Sequence, residues 1–223
     1  MGRFGLRPCT LIPIAMHFFD LHTHKDCCNS EYSVFNSFTE YIPERRISLG
    51  IHPWYISSNW EKNFSHIAHH CKNTNVSAVG ECGIDKMKSV ADIVLQMEVF
   101  RAHATLAEEI KKPLIIHCVK GFDEVMALHK EISPTQAWII HGFRGKPQQA
   151  QQLLKAGFYI SFGVKFNTES LKATPIERLF IESDENNIGI EEIYRIVAKS
   201  KECTVAELVL SVMNNAQTCN LLP

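Results

Sequence analysis

A chain of 223 residues with 45% apolar and 21% charged residues has ordinary globular composition and enough length for one large hydrophobic core. Its formal charge of -1 excludes a scaffold that coats nucleic acid by bulk charge, so any attraction for an anionic ligand must be local. Eight cysteines in a chain of this size, with no Cys-x-x-Cys pair, point to reduced thiols and a cytoplasmic setting rather than to a disulfide framework.

The N-terminus, with Arg3, Arg7 and an apolar run, mimics a leader peptide. Pro13 interrupts the run, however, and no small-residue cleavage pattern follows. Residues 1–15 are therefore read as an extension that the fold does not need, and no stretch approaches the length of a membrane span. The run leads into "FFDLHTHKD", Phe18 to Asp26, which has an acid and two histidines at every second position. On an extended strand Asp20, His22 and His24 share one face, while Leu21 and Thr23 take the other. A buried histidine bonded to a backbone carbonyl explains one such residue, so this stretch alone leaves metal binding open.

Eight short apolar runs follow one another: "AMHFFDLH", "YSVFNS", "RRISLGIH", "VSAVGECG", "KPLIIHC", "QAWIIHG", "GFYISFG" and "ERLFIESD". Most are continuous rather than alternating, which suits strands of a parallel sheet buried on both faces. Helical periodicity is expected over 59–71, 90–111, 122–131 and 147–156, with Pro113 and Gly157 as stops, and again over 191–200 and 204–219. The last begins in a Thr-x-x-Glu capping box at Thr204. This alternation predicts a TIM-type (β/α)8 barrel spanning 1–223 as a single domain, although such barrels typically run to about 250 residues. The shortage falls between the first and third strands, where "THKDCCNSE" and "FTEYIPER" leave room only for brief connections. A shortened helical jacket around strands 1–3 is expected, with an irregular second strand as an option.

In such barrels the functional side chains stand at the C-terminal strand ends. Here those ends carry His22 and His24, His52, Glu81, His117, His141 and Asp184. Six strands thus supply five histidines and two carboxylates to one rim, which satisfied core residues do not explain together. Asp20 and Glu182 each lie two residues before a rim residue, one pleat deeper, and are expected to hold an imidazole from behind; a buried acid pair is the competing reading. Cys82 and Cys118 neighbour two rim residues, and strand alternation turns them away as small apolar fillers. Lys25, Lys86, Lys88, Lys120, Arg144, Lys146 and Lys165 occupy the rim loops and favour a phosphate-bearing substrate, with Asp26, Asp85, Asp123 and Glu169 in the same windows.

The ordered set "FFDLHTH", "SLGIHPW", "AVGECGID", "PLIIHCV", "WIIHGFRG" and "LFIESD" resembles the TatD family of metal-dependent hydrolases from about Phe18 to Asp184. The resemblance implies a TIM barrel with two divalent metal ions, Mg, Mn or Zn, and deoxyribonuclease activity on DNA or another phosphodiester. It implies one metal on His22, His24, Glu81 and Asp184 and a second on Glu81, His117 and His141. Asp184 and Glu81 would be the catalytic carboxylates, and His52, in a Gly-x-His-Pro motif, a substrate contact. Two positions depart from the family. Val119 stands where an Arg is usual and Arg144 where a small polar residue is usual, so Arg144, with Lys120 nearby, is expected to bind the phosphate instead. The loop after Asp184 is also cut short, which bears on the substrate more than on the metals. Other expectations remain open: an amidohydrolase, a PHP-type phosphoesterase, an esterase like the D-aminoacyl-tRNA deacylases, or a non-enzymatic barrel with metals as structural pins. A monomer is expected for a barrel of this size.

Overall fold

The structure is a computed structural model describing residues 16–25 and 31–222; the extension at 1–15 lies outside the described residues. Each of the eight apolar runs forms a strand: β1 (Asp20–Thr23), β2 (Ser33–Asn36), β3 (Ile47–Leu49), β4 (Val76–Asp85), β5 (Leu114–Val119), β6 (Trp138–Ile140), β7 (Tyr159–Phe162) and β8 (Leu179–Ile181). They form one sheet in chain order, every neighbouring pair parallel. The continuous apolar runs are buried on both faces, β4 along its whole length.

β8 returns to β1 through a parallel bridge between Thr23 and Asp184. There Asp184 N donates to His22 O at 2.9 Å and His24 N to Asp184 O at 3.4 Å. Deeper in the same seam Asp20 Oδ1 accepts from Ser183 N at 2.9 Å, a side chain taking a ladder position. The fold is therefore a (β/α)8 barrel, and its closing seam lies among three of the rim residues.

Helices α1 (Trp60–His70), α2 (Ile93–Ile110), α3 (Phe122–Ile132), α4 (Pro147–Lys155), α5 (Thr168–Ala173), α6 (Ile190–Lys201) and α7 (Val205–Thr218) form the outer layer. The capping box opening α7 is present, Thr204 Oγ1 accepting from Glu207 N at 3.2 Å and Glu207 Oε2 from Thr204 N at 2.8 Å. α5 has no counterpart in the sequence reading. Its six residues are too few for a period to show, and Asn167 Oδ1 caps it by accepting from Ser170 N.

The jacket is short where the sequence is short. Between β2 and β3 the chain makes turns only, and between β1 and β2 no helix occurs among the described residues. Polar pins replace the missing helix: Asn75 Nδ2 donates to the carbonyls of Ile42 and Arg45, both at 2.8 Å, and Arg46 Nη1 to Leu221 O at 2.8 Å. β2 pairs regularly with β3; register shifts fall between Asp20 and Thr23 in β1, between Ile47 and Ser48 in β3 and between Val79 and Cys82 in β4.

Candidate metal centre

Glu81 stands at the middle of the rim because β4 can approach its neighbours unusually closely there. Gly80 (φ 133°) and Gly83 (φ 136°) flank it in backbone conformations that side-chain-bearing residues avoid, and a Cβ on either would strike the carbonyl of Ile115 or His117 on β5. Glu81 is 3% exposed, and four histidines from four strands surround it. His141 Nε2 donates to Glu81 Oε1 at 2.7 Å, His117 Nδ1 lies 2.9 Å from the same oxygen, and His52 Nε2 lies 3.2 Å away. The other oxygen, Oε2, is 3.4 Å from His22 Nε2 and accepts from Asn36 Nδ2 at 2.8 Å.

Burial alone would raise the Glu81 carboxyl. The His141 and His22 imidazoles and the hydrogen bonds from His117 and His141 outweigh it and hold the group well below the usual carboxylate range. His141 shows the reciprocal balance. Burial works against its charge, but Glu81 and Glu182 raise it well above the ordinary histidine value. Glu182 Oε1 lies 3.3 Å from His141 Nδ1, so Glu182 stands behind an imidazole as its two-residue offset suggested.

Asp20 is close enough to feel the His22 ring but makes no hydrogen bond to it. Its Oδ1 is taken by Ser183 N, and neither its Oδ2 nor His22 Nδ1 has a hydrogen-bond partner. Strand geometry placed Asp20 on the same face as His22, and the seam of the barrel beside it takes one carboxylate oxygen for the backbone. Burial, the largest influence, lifts Asp20 to about 7.

The second corner lies on the seam. His22 Nε2 and His24 Nε2 face each other at 3.2 Å, and Asp184 Oδ1 is 3.5 Å from His24 Nε2. Burial and then the proximity of His22 lower His24 to about 4, so it is neutral near pH 7. A neutral His24 imidazole converging with His22 and a carboxylate makes a donor set that suits a divalent cation. Three groups of side chains place their ligand atoms within 4.8 Å of one another: His22, His24 and Asp184; His22, Glu81 and His141; and His52, Glu81 and His117. The residues present thus fit metal binding. His52 joins Glu81 and His117 in the third of these groups while also lining the mouth of the site.

Three contributors escaped the sequence reading. Asn36 ends β2 and fixes Glu81 Oε2; a strand-end amide is too common to stand out. Asp85 lies four residues after Glu81 on the same strand, hence on the same face, but it reads as a loop acid. Its Oδ2 accepts from Trp54 Nε1 at 2.6 Å and lies 3.1 Å from His117 Nε2, while Oδ1 accepts from Met87 N and Lys88 N. Burial would raise Asp85, but these bonds hold it at about 2. Trp54 N also donates to His52 Nδ1 at 3.1 Å, which assigns the proton of neutral His52 to Nε2, facing Glu81.

A cleft of about 560 Å³ opens from His117, His141 and Asp184 and is lined by Lys120 and Arg144. Lys165 joins Arg144 and Asp184 around a smaller pocket of about 210 Å³. The other rim cations differ: Lys86 is paired with Glu124 at 2.6 Å, and Lys88 lies over the Trp54 ring at 4.3 Å. Cys82 is wholly buried, with its Sγ toward Ile115 O, and burial pushes the Cys118 thiol up to about 12. No helix among the described residues is long and apolar enough to cross a membrane.

The TatD-related DNase family profile matches residues 20–219. Among relatives, an uncharacterized metal-dependent hydrolase of Buchnera aphidicola is 34% identical over 146 residues, 62% of this chain and 55% of its own length. Another from Escherichia coli is 31% identical over 190 residues, 82% of this chain and 64% of its own length. A 3'-5' ssDNA/RNA exonuclease TatD of Klebsiella pneumoniae is 29% identical over 61% of this chain and 56% of its own length. The chain therefore spans little more than half of several relatives that it matches. Among solved structures, a TatD homolog from Escherichia coli superposes with a TM-score of 0.67 at 19% identity, covering 79% of this chain and 77% of that one. A TatD family hydrolase from Entamoeba histolytica gives 0.64 at 21% identity, covering 78% and 74%. With the profile running from the first strand to the last helix, the chain belongs to the TatD-related DNase family.

Proposed function

We propose that this chain is a divalent-metal-dependent phosphodiesterase acting on nucleic acid, DNA in the first instance. The observation that carries the reading is the convergence of His22, His24, His52, His117, His141, Glu81 and Asp184 at one barrel end, beside a cleft lined by Lys120 and Arg144. The exonuclease name of the Klebsiella pneumoniae relative supports the substrate class.

In this reading His22, His24 and Asp184 hold one cation, and Glu81 with His117 and His141 holds another, with His52 as a further donor against Glu81. Bound cations would supply Lewis acidity toward a phosphoryl oxygen and lower the pKa of a water. The remaining work belongs to the protein. Asp184, partly open to the cleft, orients the attacking water and accepts its proton. Glu182 and Asp85 fix the rings of His141 and His117, so that both present a set nitrogen toward Glu81. Arg144 and Lys120 bind the phosphate flanking the scissile bond, Arg144 by its planar fork of donors.

The test is metal content and hydrolysis on one preparation. Protein purified without chelator is analysed for bound metals, then assayed on single-stranded DNA and bis-p-nitrophenyl phosphate with Mg, Mn or Zn, with Asp184→Asn as control. Metal-dependent cleavage lost in the variant supports the reading. Bound metal without phosphodiester cleavage redirects it to carboxyl-ester or amide substrates, and neither bound nor activating metal overturns it.

A further inference from the structure

The rim carries an aromatic wall that the phosphodiester chemistry leaves unused. Tyr55, in the turn after β3, is 59% exposed although it lies at the mouth of the candidate metal centre. Phe38, in the turn after β2, meets Tyr55 edge-on with ring centroids 5.6 Å apart and an interplanar angle of 83°. The same Phe38 ring lies 5.3 Å from that of His24, and Tyr55 lies 5.7 Å from His52. An unbroken run of rings thus links two candidate ligands to one exposed phenol. Neighbouring Trp54 is otherwise engaged, with Lys88 over its ring and its Nε1 on Asp85.

Backbone strain marks the same place. Among the described residues seven other than glycine have a left-handed backbone. Lys111, Ser133, Glu202 and Asn220 do so where helices end, which is ordinary. The other three, Phe38 (φ 51°), Lys120 (φ 55°) and Asp184 (φ 51°), all line the mouth of the site. Phenylalanine gains nothing locally from that conformation, so the surrounding fold holds it there.

Lys120 and Arg144 lie further round the rim. In an eight-stranded ring β2 and β6 stand opposite each other, so Phe38, after β2, faces across the barrel mouth from Arg144, after β6. The hollow lined by Tyr55 and Phe38 and the cleft lined by Lys120 and Arg144 adjoin at His117, His141 and Asp184, so a strand crossing the site can set its phosphates on the cationic side and a base on the aromatic side. A base within a duplex has both faces covered already, so such a wall favours an unpaired nucleotide.

We infer that Tyr55, buttressed edge-on by Phe38, is a stacking platform for one unpaired nucleobase of a single-stranded nucleic acid whose adjacent phosphate is held at Arg144. This rests on the phosphodiesterase reading and adds the feature that selects single strands.

Binding tests it apart from cleavage. In the Asp184→Asn background, which keeps the strand intact, fluorescence anisotropy with Mg present measures the affinity for a short labelled oligothymidylate and for the same backbone made abasic. The base-bearing strand is expected to bind about tenfold more tightly, Tyr55→Ala to bring the ratio to about one, and Tyr55→Phe to restore it. Thermal melts check that each variant is folded. A preference that survives Tyr55→Ala, or equal binding of the two strands before substitution, overturns the platform. Tyr55-dependent preference in a chain that cleaves no phosphodiester keeps the platform and removes the nuclease; cleavage with no Tyr55 dependence does the reverse.

Discussion

The two corners of the candidate centre are held together by different forces. Around Glu81 the protein balances its own charges, with the carboxylate against a cationic His141, Asn36 on the second oxygen, and Glu182 and Asp85 behind the rings. At the seam the side chains hold one another weakly: two imidazole nitrogens face each other at 3.2 Å, and Asp184 is 3.5 Å from one of them. What positions them is the backbone, through the closing bonds between Asp184 and His22 and between His24 and Asp184. One corner is organised by electrostatics and the other by topology. A cation therefore has most to add at the seam, where it would replace one imidazole-to-imidazole hydrogen bond with several ligand bonds.

The largest effect that sharpens this contrast is Asp184→Asn. Hydrolysis should fall about 10²- to 10⁴-fold, as loss of a proton acceptor does. The fold should survive, because the seam uses the backbone of residue 184 and asparagine accepts its left-handed φ of 51°. Steady-state kinetics with circular dichroism checks both halves; full activity would remove Asp184 from the chemistry.

Next comes a histidine outside the centre. His103 on α2 is fully buried, with Nδ1 donating to Val99 O at 2.7 Å and Nε2 accepting from Ile51 N at 3.0 Å, one residue before His52. Burial lowers it to about 4, only partly offset by the Val99 bond. Its folded value lies below the unfolded one of 6.5, so the unfolded chain binds the proton better between them. The stability that His103 contributes is therefore complete above about pH 6.5 and lost as the pH falls toward 4. His103→Leu should be less stable than the parent at pH 7.5, and that deficit should shrink by about 2 to 3 kcal/mol at pH 4.5. Urea melts at the two pH values decide, and a constant deficit would refute the assignment.

The barrel was legible because each strand is a continuous apolar run, and the rim because each functional run ends in a residue that its burial does not need. That rule set His22, His24, His52, Glu81, His117, His141 and Asp184 at one barrel end, where their side chains converge. The rule is blind to relations between strands. It could not see that the seam falls beside Asp20 and takes one of its oxygens, nor that His52 reaches Glu81. It passed over Asp85, whose same-face offset from Glu81 was readable, because β4 continues further than its apolar run. Asn36 and Trp54 act through distances no sequence spacing encodes.

Two further effects complete the comparison. Divalent cation at about a hundred times its Kd should stabilise the parent by about 2.7 kcal/mol, read as a rise in thermal midpoint. His24→Ala should lose more of that rise than His117→Ala; equal losses would mean that the corners do not differ. The smallest is Arg144→Ala, which touches neither corner. Arg144 lines the cleft beside both, where a cation that binds the flanking phosphate equally in ground and transition states changes KM rather than kcat. KM for single-stranded DNA should rise about tenfold, roughly one charge-assisted hydrogen bond, with kcat held. Lysine at 144 should recover only part of that, since a point charge lacks the paired donors. Unchanged KM would assign the phosphate to Lys120 or Lys165, while a fall in kcat would place Arg144 against the reacting oxygens themselves.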